Sequence, residues 1–364
     1  MSEVLDIATQ FAISGELESS IPWGDGHINR TYRVKTTSGD YILQHINTTI
    51  FKDVASLMNN IKLVTEHLAR KGKETLEIIP TRDGKLYYEH ADEFFRMYRY
   101  IDNSLSYSLA TSSQMVRSVA RTFGQFQNDL ADFDATLLAE TIPFFHHTPT
   151  RYQNLLAAVE KDAAGRVADV EAEIAFFTER AEQYSHVTDL LATGEIPSRV
   201  THNDTKINNI LLDADSGAAR AVIDLDTVMP GSLLYDFGDA LRTGAALADE
   251  DEKDTAKVGF GLELYTAYCQ GFIPVLRETL TPAELDLLAF SVKLMTAECG
   301  MRFLTDYIDG DIYFATAYSE HNLVRARNQI ALVADIERKY DQMRKIATDV
   351  YNGNDGDHNG HEEK

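Results

Sequence analysis

Residues 201–226 read THNDTKINNILLDADSGAARAVIDLD, a stretch with polar clusters at both ends and two short apolar runs inside it. The runs Ile-Leu-Leu and Ala-Val-Ile are separated by the turn-forming run DADSG, a pattern that predicts a β-hairpin. Because a hairpin folds back on itself, its two outer ends lie side by side. We therefore expect Asp204, Asn209 and Asp224 to lie close together.

Such a group of side chains has a definite chemistry. Two carboxylates and an amide oxygen suit Mg²⁺, which takes hard oxygen ligands together with phosphate oxygens and water. A carboxylate that does not bind the metal can accept the proton of an attacking hydroxyl group. A metal site beside such a base is what phosphoryl transfer requires. Each residue taken alone is more simply a turn residue, since Asn and Asp are common in turns, and only the joint pattern favours a catalytic site.

The joint pattern H-x-D-x-x-x-x-N, then strand-turn-strand, then Ile-Asp resembles the catalytic loop and metal-binding Asp of the protein-kinase-like fold. The resemblance is to the branch of the aminoglycoside phosphotransferases and choline kinases. It implies that Asp204 orients or deprotonates the acceptor hydroxyl and that Asn209 and Asp224 hold Mg²⁺. Lys206 would screen the transferring phosphoryl group, although a solvated lysine is an equal alternative.

Three further polar residues lie within or shortly after this motif. The resemblance implies that Asp236, in LLYDFG, is a buried brace beneath the catalytic loop. His202 is expected to brace the loop rather than to take part in the chemistry. Asp226 remains open as a possible second metal ligand.

The pattern along the rest of the chain agrees with an α+β, two-lobed protein-kinase-like fold. Residues 1–102 are β-rich, with a hairpin over 28–47, a helix over 53–71 and extended runs at 84–89 and 94–101. This predicts a small antiparallel sheet in an N-terminal nucleotide-binding lobe. Residues 103–351 are expected to form a mostly helical catalytic and sugar-binding lobe, and residues 352–364 a mobile tail.

Three long helices are expected in the second lobe. One carries an apolar face from Met115 to Leu130, and a second covers Glu171 to Leu191. A third begins at the capping box Thr281-Pro282-Ala283-Glu284 and runs to about Ile308.

The nucleotide site is expected in the first lobe. Gly24 and Gly26 lie in a turn before a strand, where glycines let backbone N–H groups approach phosphate oxygens. A Gly-x-Gly pair is by itself usually only a turn. The backbone of Tyr100 and Ile101, in the segment that would join the two lobes, is expected to bind the adenine edge of ATP.

Two positions depart from the family pattern. Gln44 stands where the third strand normally offers a Lys to the α- and β-phosphates, and Asn59-Asn60 replaces the helix Glu that pairs with that Lys. Gln44 can still donate a hydrogen bond to a phosphate, but it carries no charge. The sequence therefore leaves the nucleotide selectivity open. It also leaves open the alternative that the chain binds a nucleotide without catalysing a reaction.

A closer resemblance covers nearly all of residues 4–350. It rests on GDGHINRTY (24–32), THNDTK (201–206), IDLDT (223–227), MPGS (229–232) and ECGMRFL (298–304). These segments resemble the N-acetylhexosamine 1-kinases, which use ATP and Mg²⁺ to phosphorylate the anomeric hydroxyl of N-acetylglucosamine or N-acetylgalactosamine. Another acceptor within the family, such as an aminoglycoside or choline, is the alternative.

The sugar would be bound by the third helix and the loop after it. Glu298, Arg302 and Asp306 stand at i, i+4 and i+8, hence on one face. A salt-bridge ladder is the equal alternative to a binding site. We favour Arg302 and Tyr313 as sugar contacts, together with Glu298 and Asp204; the run at 144–149 is a further candidate wall.

Composition limits the partners. The chain has 364 residues and a formal net charge of −23, so it repels nucleic acids and anionic lipid surfaces. No run is apolar enough to span a membrane, and the N-terminus does not look like a signal peptide. Two cysteines are too few for a disulfide framework, which suits a reducing compartment. We expect a cytoplasmic monomer whose partners are a sugar and ATP.

Overall fold

The computed structural model describes residues 3–24, 28–107 and 112–354. Gly26 and residues 355–364 of the expected tail lie outside the described residues. The chain forms two compact units. Unit 1 comprises Met1–Tyr107, Asp132–Pro143 and Asn208–Pro230, and unit 2 comprises Ser108–Ala131, Phe144–Ile207 and Gly231–Lys364.

Unit 1 is built on an antiparallel sheet. Its first elements are α1 (Glu3–Ala8), β1 (Leu17–Pro22), β2 (Arg30–Thr36), β3 (Gly39–Ile46), α2 (Val54–Arg70), β4 (Ile78–Ile79), β5 (Tyr88–His90) and β6 (Glu93–Arg99). The strand order is β1-β2-β3-β6-β4, and β5 also pairs with β6. This confirms the small antiparallel sheet that the sequence predicts.

The two faces of this sheet differ. Val34, Tyr41, Leu43 and Met97 are fully buried on one face, against a cluster to which α1 contributes Ile7 and Ala8. Since side chains alternate along a strand, the neighbouring residues point to the opposite face. That second face carries Thr31 and Arg33 of β2, Gln44 of β3 and Arg96 of β6. The polar residues that concern nucleotide binding therefore lie on one side of the sheet.

Local signals predict several of these elements. The hairpin of β2 and β3 closes where Thr36 pairs with Gly39, and α2 begins at Asp53, whose carboxylate accepts the N–H of Ser56 at 2.9 Å. The extended run at 84–89 is wrong in its first half. The Thr81 hydroxyl accepts the Lys85 N–H at 2.8 Å, which holds this part in a turn, and the strand begins only at Tyr88.

A second, smaller sheet completes unit 1. It consists of β7 (Ser104–Leu105), β9 (Ile210–Asp213) and β10 (Ala219–Val222), in the order β10-β9-β7. Two further short strands lie outside this sheet: β8 (Arg199–Thr201) belongs to unit 2, and β11 (Met229–Gly231) begins in unit 1 and ends in unit 2. The predicted hairpin is confirmed, with Ile210 paired to Val222. β7 was not predicted, because a two-residue strand has no periodicity.

Unit 2 is helical. Its helices are α3 (Ser113–Asp129), α4 (Thr148–Lys161), α5 (Glu171–Thr178), α6 (His186–Thr193), α7 (Leu233–Gly244), α8 (Leu262–Leu276), α9 (Pro282–Asp309) and α10 (His321–Asn352). The capping box at Thr281 and Glu284 is confirmed, and Gly310 ends α9 in the left-handed region. α9 packs against α4, α7 and α10. Together with the sheets of unit 1, these helices confirm the predicted α+β class.

The single helix expected from Glu171 to Leu191 is wrong. α5 stops at Thr178, a 3₁₀ turn follows, and α6 begins at His186. The Tyr184 hydroxyl donates to the Phe177 carbonyl at 2.8 Å, and the Arg180 guanidinium packs on Phe176 while pairing with Glu337. These tertiary contacts stabilise the break. Within the described ranges, every helix is too short or too polar to cross a membrane.

Candidate active site

The loop that carries Asp204 is held from beneath by α7. The Asp236 carboxylate accepts the N–H of His202 at 2.9 Å and that of Asn203 at 2.7 Å, as well as a bond from the Gln127 amide. The Thr205 hydroxyl donates to the Asp236 carbonyl at 2.8 Å. Asp236 is 1% exposed and so lies where the expected brace should be.

His202 also lies where a bracing residue should. Its ring is fully buried and makes edge contacts with Phe123 and Phe126, at centroid distances of 5.6 and 5.9 Å. Its Nδ1 accepts the N–H of Asp204 at 3.3 Å. Asn203 has a positive φ of 64°, which directs the chain sharply into Asp204. The loop is thus fixed by packing and hydrogen bonds on both sides of Asp204.

Asp204 and Lys206 form an ion pair. Lys206 Nζ lies 2.8 Å from Asp204 Oδ1, and the Lys206 side chain is half exposed. Burial lowers the pKa of Lys206, but the Asp204 carboxylate outweighs this effect, so the pKa lies above its ordinary value. The ammonium group therefore stays charged and favours the ionised carboxylate, the form that can accept a proton.

The candidate metal ligands lie at the two ends of the β9–β10 hairpin in unit 1. The N–H of Ile223 donates to the Asn209 carbonyl at 2.9 Å, which places Asn209 directly beside the segment that ends in Asp224. Asp224 has a φ of 57°, a left-handed conformation that is costly for a non-glycine residue. The predicted neighbourhood of Asn209 and Asp224 is therefore present.

The donor set fits a shared Mg²⁺ rather than a metal held by protein alone. One carboxylate and one amide oxygen leave positions for phosphate oxygens and water. In the described part of the chain, no group of three His, Cys, Asp or Glu residues could hold a metal. Asp204 and Lys206 belong to unit 2, whereas Asn209 and Asp224 belong to unit 1, so the meeting of Asp204 with the metal ligands stays a prediction.

Asp226 is engaged by a residue that the sequence analysis missed. Its carboxylate accepts Arg96 Nη2 at 2.8 Å and Asn29 Nδ2 at 2.6 Å, and Arg96 Nη1 lies 2.5 Å from its second oxygen. Arg96 is 1% exposed. A charged residue inside the apolar run Phe94-Phe95-Arg96-Met97 was the available signal, because buried charges need partners.

Gln44 and Asn60, which stand at the two departures from the family pattern, have structural partners. Gln44 donates to the Thr31 hydroxyl at 3.1 Å and accepts Arg96 Nε at 2.9 Å. Asn60 is buried on α2 and donates to the carbonyls of Ala139 at 2.7 Å and Val228 at 3.0 Å. Asn60 thus ties α2 to the segment that follows Asp224, a role that an amide fills and a carboxylate does not.

The expected nucleotide residues lie in unit 1. Gly24 has a φ of 76°, which favours glycine, whereas Gly26 lies outside the described residues. Tyr100 N–H donates to the Asp40 carbonyl at 3.0 Å, and the Ile101 carbonyl accepts the Ser104 hydroxyl at 2.6 Å. The described structure does not test their contact with a nucleotide, so these roles stay predictions.

The three residues on one face of α9 have separate partners, so the salt-bridge ladder does not form. Glu298 accepts His146 Nδ1 at 2.9 Å and the Thr148 hydroxyl at 2.6 Å. Burial raises the pKa of Glu298, but the hydrogen bonds from His146 and Thr148 outweigh it and hold the pKa below its usual value. Since its oxygens are engaged inside the protein, Glu298 supports its neighbours, and direct sugar contact stays a prediction.

His146 links this cluster to the catalytic loop. Its Nδ1 faces Glu298 and its Nε2 lies 3.3 Å from the Asn203 carbonyl. Both ring nitrogens of His146 therefore face oxygen atoms. The run at 144–149 therefore adjoins the loop of Asp204 within unit 2.

Arg302 of α9 and Tyr313 of the loop after it lie close together. Asp306 accepts the N–H groups of Ile312, Tyr313 and Phe314 at 2.8 to 3.0 Å, which fixes the loop after α9. Tyr313 is 68% exposed, and the Arg302 guanidinium lies 5.9 Å from its ring centre. The contact of these two residues with a sugar stays a prediction.

Arg151 is a second cation that the sequence analysis missed. Its Nη2 donates to the Phe145 carbonyl at 2.7 Å. Burial and the neighbouring charge of Arg302 lower the pKa of Arg151. Two arginines thus lie near one another in a chain of strongly negative net charge. The sequence around Arg151 does not predict that it lies near Arg302, because the two arginines come together only when α4 packs on α9.

Comparison with known proteins places this chain in a family. The chain matches the phosphotransferase enzyme family over residues 21–270. A microcompartment-associated aminopropanol kinase has a TM-score of 0.61 and 16% identity, covering 93% of this chain and 97% of that chain. An amicoumacin kinase in complex with AMP-PNP and Ca²⁺ gives 0.59 and 13%, covering 97% and 94%.

A choline kinase from Cryptosporidium parvum has a TM-score of 0.54 and 13% identity, covering 89% of this chain and 90% of that chain. At identities this low, the likeness concerns the fold. It confirms the protein-kinase-like fold that the sequence predicts.

Proposed function

The chain belongs to the phosphotransferase enzyme family, and from this premise we propose that it is an ATP- and Mg²⁺-dependent N-acetylhexosamine 1-kinase. The observation that carries the proposal is the loop around Asp204. Asp236 holds the loop from beneath, and Lys206 pairs with the Asp204 carboxylate at 2.8 Å. A fixed, ionised carboxylate is suited to take a proton from a hydroxyl group.

The reaction follows from this placement. The anomeric oxygen of the sugar attacks the γ-phosphorus of ATP, and a new P–O bond forms as the bond to the β–γ bridging oxygen breaks. ADP leaves with the electron pair of that bond, and Asp204 takes the hydroxyl proton. Lys206 adds positive charge close to the point where the acceptor reacts.

Asn209 and Asp224 would hold the metal ion. Mg²⁺, when bound, neutralises phosphate charge and favours displacement at the γ-phosphorus. The amicoumacin kinase of the same fold, which was solved with AMP-PNP and Ca²⁺, supports a nucleotide with a divalent ion. The Tyr100 carbonyl and the Ile101 N–H would provide the acceptor and donor for the adenine edge.

The charges near the acceptor site support a neutral sugar over a cationic alcohol. Arg151 and Arg302 lie near one another in unit 2 and would repel an aminoglycoside or choline. The acetamido carbonyl of an N-acetylhexosamine accepts hydrogen bonds from such donors. The only tryptophan, Trp23, lies in unit 1 with the Arg33 guanidinium 4.8 Å from its ring centre, so this ring already has a cationic partner.

An acceptor panel tests the proposal. The purified chain is incubated with ATP and MgCl₂ and each of N-acetylglucosamine, N-acetylgalactosamine, glucose, galactose, kanamycin and choline. We expect ADP formation with the two N-acetylhexosamines. Their products should give no reducing-sugar reaction and should show ³¹P coupling to the anomeric proton, because phosphate on O1 closes the reducing end.

The controls separate the parts of the proposal. Omission of MgCl₂, or addition of EDTA, should abolish turnover. Phosphorylation of kanamycin or choline without turnover of the N-acetylhexosamines would contradict the proposed acceptor. It would still support the proposal that the chain is a kinase. ATP-dependent product from none of the acceptors would contradict the whole assignment.

A further inference from the structure

Arg96 is a buried cation on the polar face of the unit 1 sheet. All three nitrogens of its guanidinium have partners. Nη1 and Nη2 contact the two oxygens of Asp226 at 2.5 and 2.8 Å, and Nε donates to the Gln44 side chain at 2.9 Å. Burying an arginine fully is costly unless it is paired and hydrogen-bonded. Arg96 therefore depends on Asp226 and Gln44 to remain buried.

Asp226 follows the candidate metal ligand Asp224 by two residues. Asn29 donates to Asp226 at 2.6 Å while its own side-chain oxygen accepts the Asn47 N–H at 3.0 Å. This network joins the start of β2, the end of β3 and the middle of β6 to the segment after β10. The segment is held again at Val228, whose carbonyl accepts the Asn60 amide at 3.0 Å.

The charge of Arg96 also acts on Asp224. Burial lowers the pKa of Arg96, but the carboxylates of Asp226 and, to a smaller extent, Asp224 raise it above its ordinary value. Without Arg96, two carboxylates two residues apart would repel each other next to a metal site. With Arg96 in place, the charge of Asp226 is compensated by a direct ion pair.

We propose that Arg96 is a positioning residue for the metal ion: paired with Asp226, it fixes the segment that carries Asp224. Asp226 is then the counter-ion of Arg96 and not a second metal ligand. The inference rests on the proposed function only in that Asp224 binds the Mg²⁺ of a nucleotide.

The conformation of Asp224 explains why it needs such support. Its φ of 57° is a left-handed conformation that is strained for a residue with a Cβ. A 3₁₀ turn over Leu225–Thr227 follows directly. Arg96 holds this turn through Asp226. The contacts of the turn therefore stabilise the strained conformation of Asp224.

Calorimetric titration of ADP into the full chain, with and without MgCl₂, tests the inference without any acceptor. The variants are R96K, which keeps the charge but loses the two-pronged contact, D226N, and the double variant R96K/D226N. R99K is the matched control, since Arg99 lies on the same strand, is 45% exposed and pairs with Glu77 at 2.8 Å.

We expect R96K and D226N each to weaken Mg²⁺-dependent ADP binding about tenfold, with metal-free ADP binding unchanged. The double variant should bind Mg·ADP no more weakly than either single variant, because both changes break the same ion pair. R99K should bind as the wild type does. If R96K fails to fold, the neutral pair R96M/D226N, which leaves no unpaired charge, carries the same expectation.

Two results would overturn the inference. Unchanged Mg²⁺-dependent binding in R96K, or in R96M/D226N, would show that the pair does not position the metal. Additive losses in R96K and D226N would assign Asp226 a separate role, such as a metal ligand. Wild-type chain that binds no Mg·ADP would overturn the proposed function itself, and the inference with it.

Discussion

Lys206 Nζ lies 2.8 Å from Asp204 Oδ1, and the N–H of Lys206 donates to the Asp204 carbonyl at 2.9 Å. The two residues thus form a tight turn in which the ammonium faces the carboxylate. An ion pair between partly exposed groups adds little to stability, about 0–1 kcal/mol. Under the proposed function, the ion pair would act on the reaction rate by orienting the Asp204 carboxylate.

Asp204→Asn should remove the base and leave the fold intact. Asn has nearly the same shape but cannot take a proton, so turnover should fall about 10²- to 10⁴-fold with little change in KM for ATP. Steady-state kinetics with N-acetylglucosamine measure this. Asp215→Asn, in the turn of the β9–β10 hairpin, is the matched control and should keep wild-type turnover. Near-wild-type turnover of Asp204→Asn would remove Asp204 from its proposed role.

Asn60→Ala should destabilise unit 1. The buried amide donates to the carbonyls of Ala139 and Val228 and accepts the Ala139 N–H at 2.9 Å. The loss of one residue leaves several buried backbone groups without partners, which should lower the free energy of unfolding by about 2–3 kcal/mol. The neighbouring Asn59 is exposed.

Asn59→Ala is therefore the control, and its effect should stay within about 0.5 kcal/mol. Urea denaturation of both variants at one pH provides the comparison. Equal stability of the two variants would show that Asn60 is not an anchor between α2 and the segment after Asp224.

The sequence predicts those parts of the fold whose signals are local. Asp53 before α2, the capping box at Thr281 and the turn between β2 and β3 each specify one end of an element within a few residues. The motif around Asp204 was found for the same reason, because its spacing is short. Such signals act before any long-range contact forms.

The partners of buried polar groups were not predictable in this way. Arg96 meets Asp226 across 130 positions, and His146 meets Glu298 across 152. No local pattern specifies which buried charge will pair with which, because the choice is made when strands and helices pack. The break after Thr178 depends in part on such a contact, since Arg180 pairs with Glu337 across 157 positions.

Arg302→Met should weaken the binding of N-acetylated sugars. If Arg302 donates to the acetamido carbonyl, its loss removes a hydrogen bond from a charged donor, which is worth about 1.5–3 kcal/mol, or roughly 10- to 100-fold in KM. The ratio of kcat/KM for N-acetylglucosamine over glucose should fall by the same factor, while KM for ATP stays unchanged.

Arg327→Met is the control for this change, since Arg327 pairs with Glu173. It should leave the sugar preference as it is. An equal loss for N-acetylglucosamine and glucose would place Arg302 away from the acetamido group.

Glu298→Gln should change how stability depends on pH. Hydrogen bonds from His146 and Thr148 hold the pKa of Glu298 below its usual value in the folded chain, despite burial. A carboxyl group whose pKa is lowered on folding stabilises the fold above its unfolded pKa of about 4.3, and this contribution is lost as the pH falls through the folded value. The wild type should thus be more stable than the variant by about 1–3 kcal/mol above pH ~5.

The difference should shrink steadily as the pH falls below about 4, because both chains then carry a neutral group at this position. Thermal or urea unfolding at closely spaced pH values measures it. Glu320→Gln, at an exposed position before α10, is the control and should show no such pH dependence. A stability difference that stays constant down to low pH would mean that the contacts of residue 298 do not depend on its charge, and the stabilising role of the ionised Glu298 carboxylate would have to be abandoned.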